Sequence, residues 1–415
     1  MKKQIYLLTM FIMIHCGHVI SAATWKIFLY ADSSDNLSDM IIKNITDIIR
    51  GKPNDTVDFM IQLHAYYMTG LRYRVTAQGL AFIEEIQLSD DNQQNFINGA
   101  QWAFANNSAD YTMLIISNHG WGILDPQWNE QAQEWQVHEG GLSNNCMIEK
   151  SSLSLMNEQH NQHKGFLFTA KPRSYLANPK LFEGLSYITT HILNNKLDII
   201  AFDTCMGDML EIGYGVAPYA DYLVGSQSCS LPDGFAYQGI IEALNHQHVP
   251  RDIAKAMVQA FDSYYKQHDK SGIYTHAALD LSQIYTVCKA LNTIIDNLLT
   301  MPEFASAMLK ACNNSPRFCL WPMYTDGVAW AKNVQYQLTL LPQPDAINTL
   351  HSALQNFYQS AAQLVVAQCG GHSTLGLAHG FAIYLPNGTI DDSYYTTSFA
   401  QESQWVTFLE FIQHI

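Results

Sequence analysis

The sequence predicts an α/β fold with a mostly parallel sheet, helices on both faces, and a helix-rich C-terminal region. Three observations predict it. Short apolar runs alternate with helical patterns through the first 270 residues, the order expected of a parallel sheet. The runs are almost continuously apolar, as in strands covered on both faces, rather than alternating as in strands with one wet face. From Gly272 onward the pattern changes to long amphipathic helices.

The elements follow in order. Trp25 to Ala31 (WKIFLYA) is rich in strand formers. Leu37, Met40, Ile41, Ile45, Ile48 and Ile49 recur at spacings of three and four, which marks an amphipathic helix stopped by Gly51 and Pro53. Val57 to Leu63 (VDFMIQL) is the second strand. Phe96, Ala100, Ala103 and Phe104 line a helix capped near Ser89. Tyr111 to Ser117 (YTMLIIS), Leu197 to Asp203 (LDIIAFD) and Tyr222 to Ser226 (YLVGS) are the third, fourth and fifth strands. Beyond residue 272, Ile284 to Leu298 and Leu350 to Val365 carry helical periodicity, and Gly380 to Leu385 (GFAIYL) reads as a late strand ended by Pro386-Asn387-Gly388. The stretch from Gln127 to Lys180 is polar and aperiodic, and far longer than an ordinary connection. The expected organisation is therefore a leader over 1–22, an α/β domain over 23–271 with the 127–180 insert, and a helical/β subdomain over 272–415.

Composition excludes several classes. The chain has 415 residues, 48% of them hydrophobic and 14% charged, which excludes disorder and provides for a large core. Its 37 acidic against 22 basic side chains give a net charge of −15, which repels phosphate backbones and argues against nucleic-acid binding. Lys2 and Lys3, the apolar run Ile5 to Ile14 and the small residues Ser21-Ala22-Ala23 form a secretory signal with its cleavage site. The run is too short to span a bilayer, and no later stretch is long enough. His15 before Cys16 argues against a lipid anchor. Removing the leader takes away two lysines and no acid, so the charge falls from −15 to −17, and it leaves seven cysteines. An odd number in an oxidising compartment points to a free thiol. Cys312 and Cys319 are close enough in sequence to close a small loop.

Parallel α/β sheets collect their chemistry at the carboxyl ends of the strands. The third strand ends in Ser117-Asn118-His119-Gly120-Trp121-Gly122 and the fourth in Asp203-Thr204-Cys205-Met206-Gly207. If these strands are neighbours, a histidine and a cysteine face each other across one crevice, as a base and a nucleophile. Imidazole favours the thiolate, which attacks a carbonyl, and His119 protonates the departing amine. Gly120 lets the backbone approach closely, so that its N–H and that of Cys205 serve the oxyanion. A helix starting near Gly207 would add its positive end. Asp203, two positions before Cys205, would point to the same side and bind a basic substrate side chain; the alternative is a strand-end cap. Asp233, after the fifth strand, faces the same crevice or is a solvated turn residue. His160 with His163, and His246 with His248, have loose metal-like spacings without matching ligands, so no metal site is expected.

These residues resemble the clostripain-like cysteine peptidases, which share the caspase-type fold with caspases, legumains and gingipains. The resemblance rests on Asp35-Asn36-Leu37, the His-Gly-Trp-Gly turn at His119, the Phe-Asp-x-Cys-Met-Gly element ending at Gly207, and Tyr222 to Ser226. Gly380 to Pro386 and Trp405 to Phe411 support it. It implies a caspase-like fold, a dyad of His119 and Cys205, and cleavage after Arg or Lys with Asp203 in the specificity pocket. It also implies a zymogen cut between the two motifs, which 85 residues separate here, with Lys150, Lys164, Lys171 and Arg173 as basic positions. Relatives often carry an acid after the Gly-Ser of the fifth strand, where this chain has Gln227. Some relatives use calcium, although no calcium-loop pattern occurs and no cofactor is required by the chemistry. The expectation is a monomeric, secreted or periplasmic endopeptidase of a bacterium, acting on peptide or protein substrates. The alternative is an inactive peptidase-like protein that uses the crevice or the C-terminal helices for binding.

Overall fold

The computed structural model describes residues 24–33, 37–65, 68–125, 127–129, 134–136, 175–231, 233–268, 272–318, 321–341, 344–371 and 378–415. The expected leader, most of the 127–180 segment with Cys146, His160 and His163, and Cys319 lie outside them. The strands are β1 (Trp25–Asp32), β2 (Val57–His64), β3 (Thr69–Thr76), β4 (Gly79–Gln87), β5 (Tyr111–Ser117), β6 (Gln127–Asn129) and β7 (Glu134–Gln136). They continue with β8 (Leu197–Asp203), β9 (Ala220–Gly225), β10 (Thr275–Asp280), β11 (Arg317–Phe318), β12 (Trp321–Asp326), β13 (Val365–Gly370) and β14 (Ala382–Tyr384).

Nine of these form one sheet in the order β13-β10-β9-β8-β5-β1-β2-β3-β4. The five central strands, β9, β8, β5, β1 and β2, run parallel, and antiparallel strands extend the sheet at each edge. Each parallel strand is apolar on both faces because both are covered. Phe28, Leu114, Ile200 and Phe202 enter one core, whereas Ile27, Ile115, Ile199 and Ala201 enter the other.

The helices over the first half are α1 (Ser38–Arg50), α2 (Asn92–Ala103), α3 (Asn178–Tyr187), α4 (Leu210–Val216), α5 (Tyr237–Leu244) and α6 (Pro250–His268). Those of the second half are α7 (Ile284–Leu299), α8 (Ala305–Asn314), α9 (Gly327–Thr339), α10 (Pro344–Leu364), α11 (Ser398–Glu402) and α12 (Trp405–Gln413). Helices α1, α5 and α6 cover one face of the sheet; α2, α3, α4 and most of the C-terminal helices pack into the core on the other. Gly51 caps α1 as expected. Helix α2 is capped not at Ser89 but at Asp91, whose carboxylate accepts the Gln94 N–H at 3.0 Å.

The expected boundary at 271/272 is not a break in the sheet. Strands β10 and β13, both beyond it, pair in sequence onto β9, because the parallel core needs its edge covered. The remaining C-terminal strands form a small sheet in the order β11-β12-β14. Glu211 of α4 ties that sheet down: it is buried and accepts from the Tyr384 N–H at 2.7 Å and the Tyr394 hydroxyl at 3.1 Å. Trp405 donates its indole N–H to the Tyr384 carbonyl at 2.7 Å and stacks edge-on against Trp330. Buried Arg317 caps α8 through the Cys312 carbonyl at 3.1 Å and also donates to the Leu385 carbonyl.

Candidate active site

Strands β5 and β8 pair in parallel with Ser117 opposite Asp203. His119 and Cys205 each stand two residues beyond those partners, so the register carries them to the same level at the carboxyl edge of the sheet. The turn after β5 is held tightly. Asn118, buried, donates from Nδ2 to the Asp32 carbonyl at 3.0 Å, and its Oδ1 accepts the His119 N–H. Gly120 lies against the turn after β8: a Cβ there would overlap the Cys205 carbonyl oxygen and stand 2.7 Å from Thr204 Oγ1. Only glycine allows that approach. Trp121 offers its carbonyl to the Tyr324 hydroxyl at 2.6 Å, which anchors the same turn to β12.

Cys205 is 9% exposed and packs with the core that holds Phe202. Its Sγ accepts the Ser230 N–H at 3.3 Å and lies 3.9 Å from the Ser230 carbonyl. Met206 has a left-handed backbone, φ 54°, and donates its N–H to the Ser228 carbonyl at 2.9 Å. The Asp208 N–H reaches the Ser226 carbonyl at 3.0 Å. A strained non-glycine residue directly after a thiol is the kind of backbone that surroundings must over-determine, and the loop over 226–230 does so here.

One expectation is corrected at this point. The helix after Cys205 starts not near Gly207 but at Leu210, five residues beyond the thiol. The intervening residues bond to the 226–230 loop, and Met209 bridges to Ala382, so the short α4 brings no helix terminus to the sulfur.

Asp203 is 5% exposed and faces α1 and α5. Its Oδ2 accepts the Tyr237 hydroxyl at 2.8 Å and the Ser117 hydroxyl at 3.3 Å. Gly234, at φ +63°, closes over the carboxyl, and a Cβ there would be 2.8 Å from Oδ2. Burial pushes the Asp203 carboxyl up to about 6, against the pull of Tyr237, the Phe235 N–H, Ser117 and the charge of Lys43. Asp233, half-buried, accepts the Tyr264 hydroxyl at 2.6 Å. Burial opposes the charge of Lys43, but Asp47, Tyr264 and Asp233 together hold its ammonium above the ordinary lysine value. Lys43 thus influences both Asp203 and Asp233.

Other polar groups around the strand ends escaped the sequence reading. Ser230 is the donor to the thiol, Asn118 the clamp on the histidine turn, and Tyr237 the partner of Asp203. Gln227, which the sequence marked only as a departure from the resemblance, is buried and bonded to Asp326 and Gly380. A serine, asparagine or tyrosine in such a segment has no signature of its own. The wholly buried His64 and His276 are pushed down by burial to about 4 and about 3, so both are neutral. His246 and His248 are exposed. Among the described residues no three His, Cys, Asp or Glu side chains gather to hold a metal.

The mostly parallel, helix-covered sheet is that of a caspase-like fold, and it carries a thiol and an imidazole at adjacent strand ends. Residues 154–412, more than half of the chain, match the Clostripain family. The chain belongs to the clostripain family and is a cysteine-type peptidase. The matched segment includes Cys205 and begins after His119. Among solved structures it resembles a secreted C11 cysteine protease from Bacteroides thetaiotaomicron, at 15% identity and a TM-score of 0.65, over 92% of this chain and 100% of that one. It also resembles an inactive zymogen C11 protease from Parabacteroides distasonis, at 14% identity and a TM-score of 0.61, over 93% and 99%. A further structure of a secreted Bacteroides thetaiotaomicron C11 protease, in complex with an irreversible peptide inhibitor, gives 15% identity, a TM-score of 0.61 and coverage of 94% and 99%. At such identities the likeness establishes a common fold. A comparison with curated proteins found no match. Among the described residues no helix is long and apolar enough to cross a membrane.

Proposed function

We propose that the chain is a secreted endopeptidase in which Cys205 is the nucleophile and His119 the general base and acid. The observation that carries this reading is the contact of the two strand ends, where Gly120 lies against the Cys205 carbonyl with no room for a Cβ. That contact puts the residue after the histidine beside the residue that bears the thiol.

In the reaction the Cys205 thiolate attacks the scissile carbonyl carbon, and the carbonyl electrons move to oxygen. The backbone N–H groups of Gly120 and Cys205 receive that oxyanion. Imidazolium at His119 gives its proton to the departing amine, which leaves as the C–N bond breaks. Water then attacks the thioester, His119 accepts its proton, and the C–S bond breaks to release the acid. The Ser230 N–H on Sγ favours the thiolate over the thiol.

Preference for Arg or Lys before the cut bond rests on Asp203 and Asp233. Asp203 is a buried acid with donors around it and, among the described residues, no cation hydrogen-bonded to it, and a substrate guanidinium or ammonium supplies the countercharge that its burial calls for. The same preference makes Lys150, Lys164, Lys171 and Arg173 cut sites in the chain itself, so the enzyme processes itself between the two motifs. Residues Met1 to Ala22 direct export. The chemistry needs no cofactor.

The test is hydrolysis of fluorogenic peptides that differ only in the residue before the bond, by the chain from Ala23 and by its Cys205→Ala variant. Turnover after Arg or Lys, abolished in the variant, is expected. Turnover that survives Cys205→Ala would overturn the dyad. Cleavage after other residues would remove Asp203 as the specificity acid, and a wild-type chain that cleaves peptides yet stays uncut would end the self-processing reading.

A further inference from the structure

We propose that Gln227 is a positioning residue that couples the β12–β14 sheet to the loop holding the Cys205 thiol. The proposal rests on the reading of Cys205 as nucleophile and deepens it. Gln227 is 2% exposed, so its side chain is spent inside the protein. Its Nε2 donates to Asp326 Oδ2 at 3.0 Å, and its Oε1 accepts the Gly380 N–H at 2.9 Å. Donor and acceptor are thus both used, on two different segments of the C-terminal half.

Asp326 fixes the choice of amide. Its carboxylate is wholly buried and also receives the Ala329 N–H at 2.7 Å, the His379 N–H at 2.7 Å and His379 Nδ1 at 2.9 Å. Lys332 Nζ lies 2.7 Å from His379 Nε2. The imidazole thus bridges the Lys332 ammonium and the Asp326 carboxylate. A carboxylate at position 227 would face that of Asp326 with nothing to donate. An aliphatic side chain would leave the Gly380 N–H without its acceptor.

The other end of the coupling is the thiol. Residues 226–230 form the loop whose Ser226 and Ser228 carbonyls hold the turn after Cys205 and whose Ser230 N–H reaches Sγ. Thr275 Oγ1 accepts the Ser228 N–H at 3.2 Å, which steadies the loop from β10. Gln227 stands between these backbone contacts, so displacing its side chain displaces the donor to the sulfur. In this chain Asp326 already occupies the place for negative charge.

The experiment compares wild type, Gln227→Glu, and Gln227→Glu combined with Asp326→Asn, which restores one carboxylate facing one amide. Two readouts are taken across pH: the rate at which iodoacetamide alkylates Cys205, followed by mass spectrometry, and kcat and KM on a fluorogenic peptide. At about pH 8, Gln227→Glu is expected to slow alkylation and kcat about tenfold, the effect of a one-unit rise in thiol pKa, with KM held within about twofold. The ratio to wild type should return toward one near about pH 5, where the two carboxyls share a proton. The double variant should recover most of the loss. Unchanged alkylation and kcat, a changed residue preference with kcat intact, or no recovery in the double variant would each overturn the proposal. If Gln227→Glu does not fold, Gln227→Met replaces it, and its relative loss should then be independent of pH; wild-type rates would overturn the proposal. A wild-type chain that hydrolyses no peptide, with alkylation still shifted by Gln227→Glu, would defeat the peptidase reading and leave the coupling intact.

Discussion

Replacing Asp203 with asparagine removes a charge that the fold holds at a cost. Burial pushes this carboxyl up to about 6, whereas in the unfolded chain it titrates near about 3.9. The folded protein therefore binds the proton more tightly. The stability that goes with the neutral form is fully present below about pH 4 and is lost as pH rises through about 6. A shift of roughly two units corresponds to about 3 kcal/mol at about 1.4 kcal/mol per unit. Asparagine keeps the shape and an oxygen for the Tyr237 hydroxyl, and it cannot ionise. The stability of Asp203→Asn minus that of the parent should thus rise by about 3 kcal/mol between about pH 4 and about pH 7.5. Urea unfolding followed by tryptophan fluorescence measures it, in a Cys205→Ala background that removes self-digestion; any constant offset reports only the packing of the amide. A difference that stays flat with pH, or falls, would refute the reasoning: Asp203 would then ionise at no cost, because a cation of the protein already pairs with it.

Three further outcomes follow from the same structure. Gly120→Ala forces a methyl into the Cys205 carbonyl; it should destabilise by about 1–3 kcal/mol and cut kcat/KM about a hundredfold, and a wild-type kcat/KM would exclude the close approach. Met206→Gly relieves a positive φ worth about 1–2 kcal/mol but removes a fully buried side chain worth about 2–5 kcal/mol; packing wins, so thermal melting should show a net loss. Glu211, which burial pushes up to about 7, loses its neutral-state stability as pH rises through that value; Glu211→Gln should gain on wild type by about 3 kcal/mol between about pH 5 and about pH 9, and a gap unchanged over that range would mean the carboxylate is already stabilised.

The parallel core was legible because a strand buried on both faces must be apolar at every position: β1, β2, β5, β8 and β9 all fall on the runs that the sequence offered. The edge strands were not. In β3, Arg72 and Arg74 break the apolar pattern, since Arg72 reaches Glu84 at 2.8 Å and Arg74 reaches Asp58 at 2.7 Å; such a strand resembles a loop until its partners are known. β10 and β13 lay among helical periodicities and are short. At the site, the histidine and cysteine motifs could be found because glycine has few reasons to stand beside a reactive residue. The partners that tune them could not, because Ser230 and Tyr237 lie 25 and 32 positions from Cys205 in sequence and meet it or Asp203 only in the fold.

The pairing of β5 with β8 bears on what a cut chain would be. Between these strands lies the whole stretch that holds the basic positions of the proposed processing segment. A break there severs no element of the main sheet. The two pieces would stay zipped along five register pairs from Met113↔Ile199 to Ser117↔Asp203, with helices from both pieces buried in the same two cores. The product is a noncovalent heterodimer born from one gene product. It should co-elute on a sizing column under reducing conditions and come apart only in denaturant.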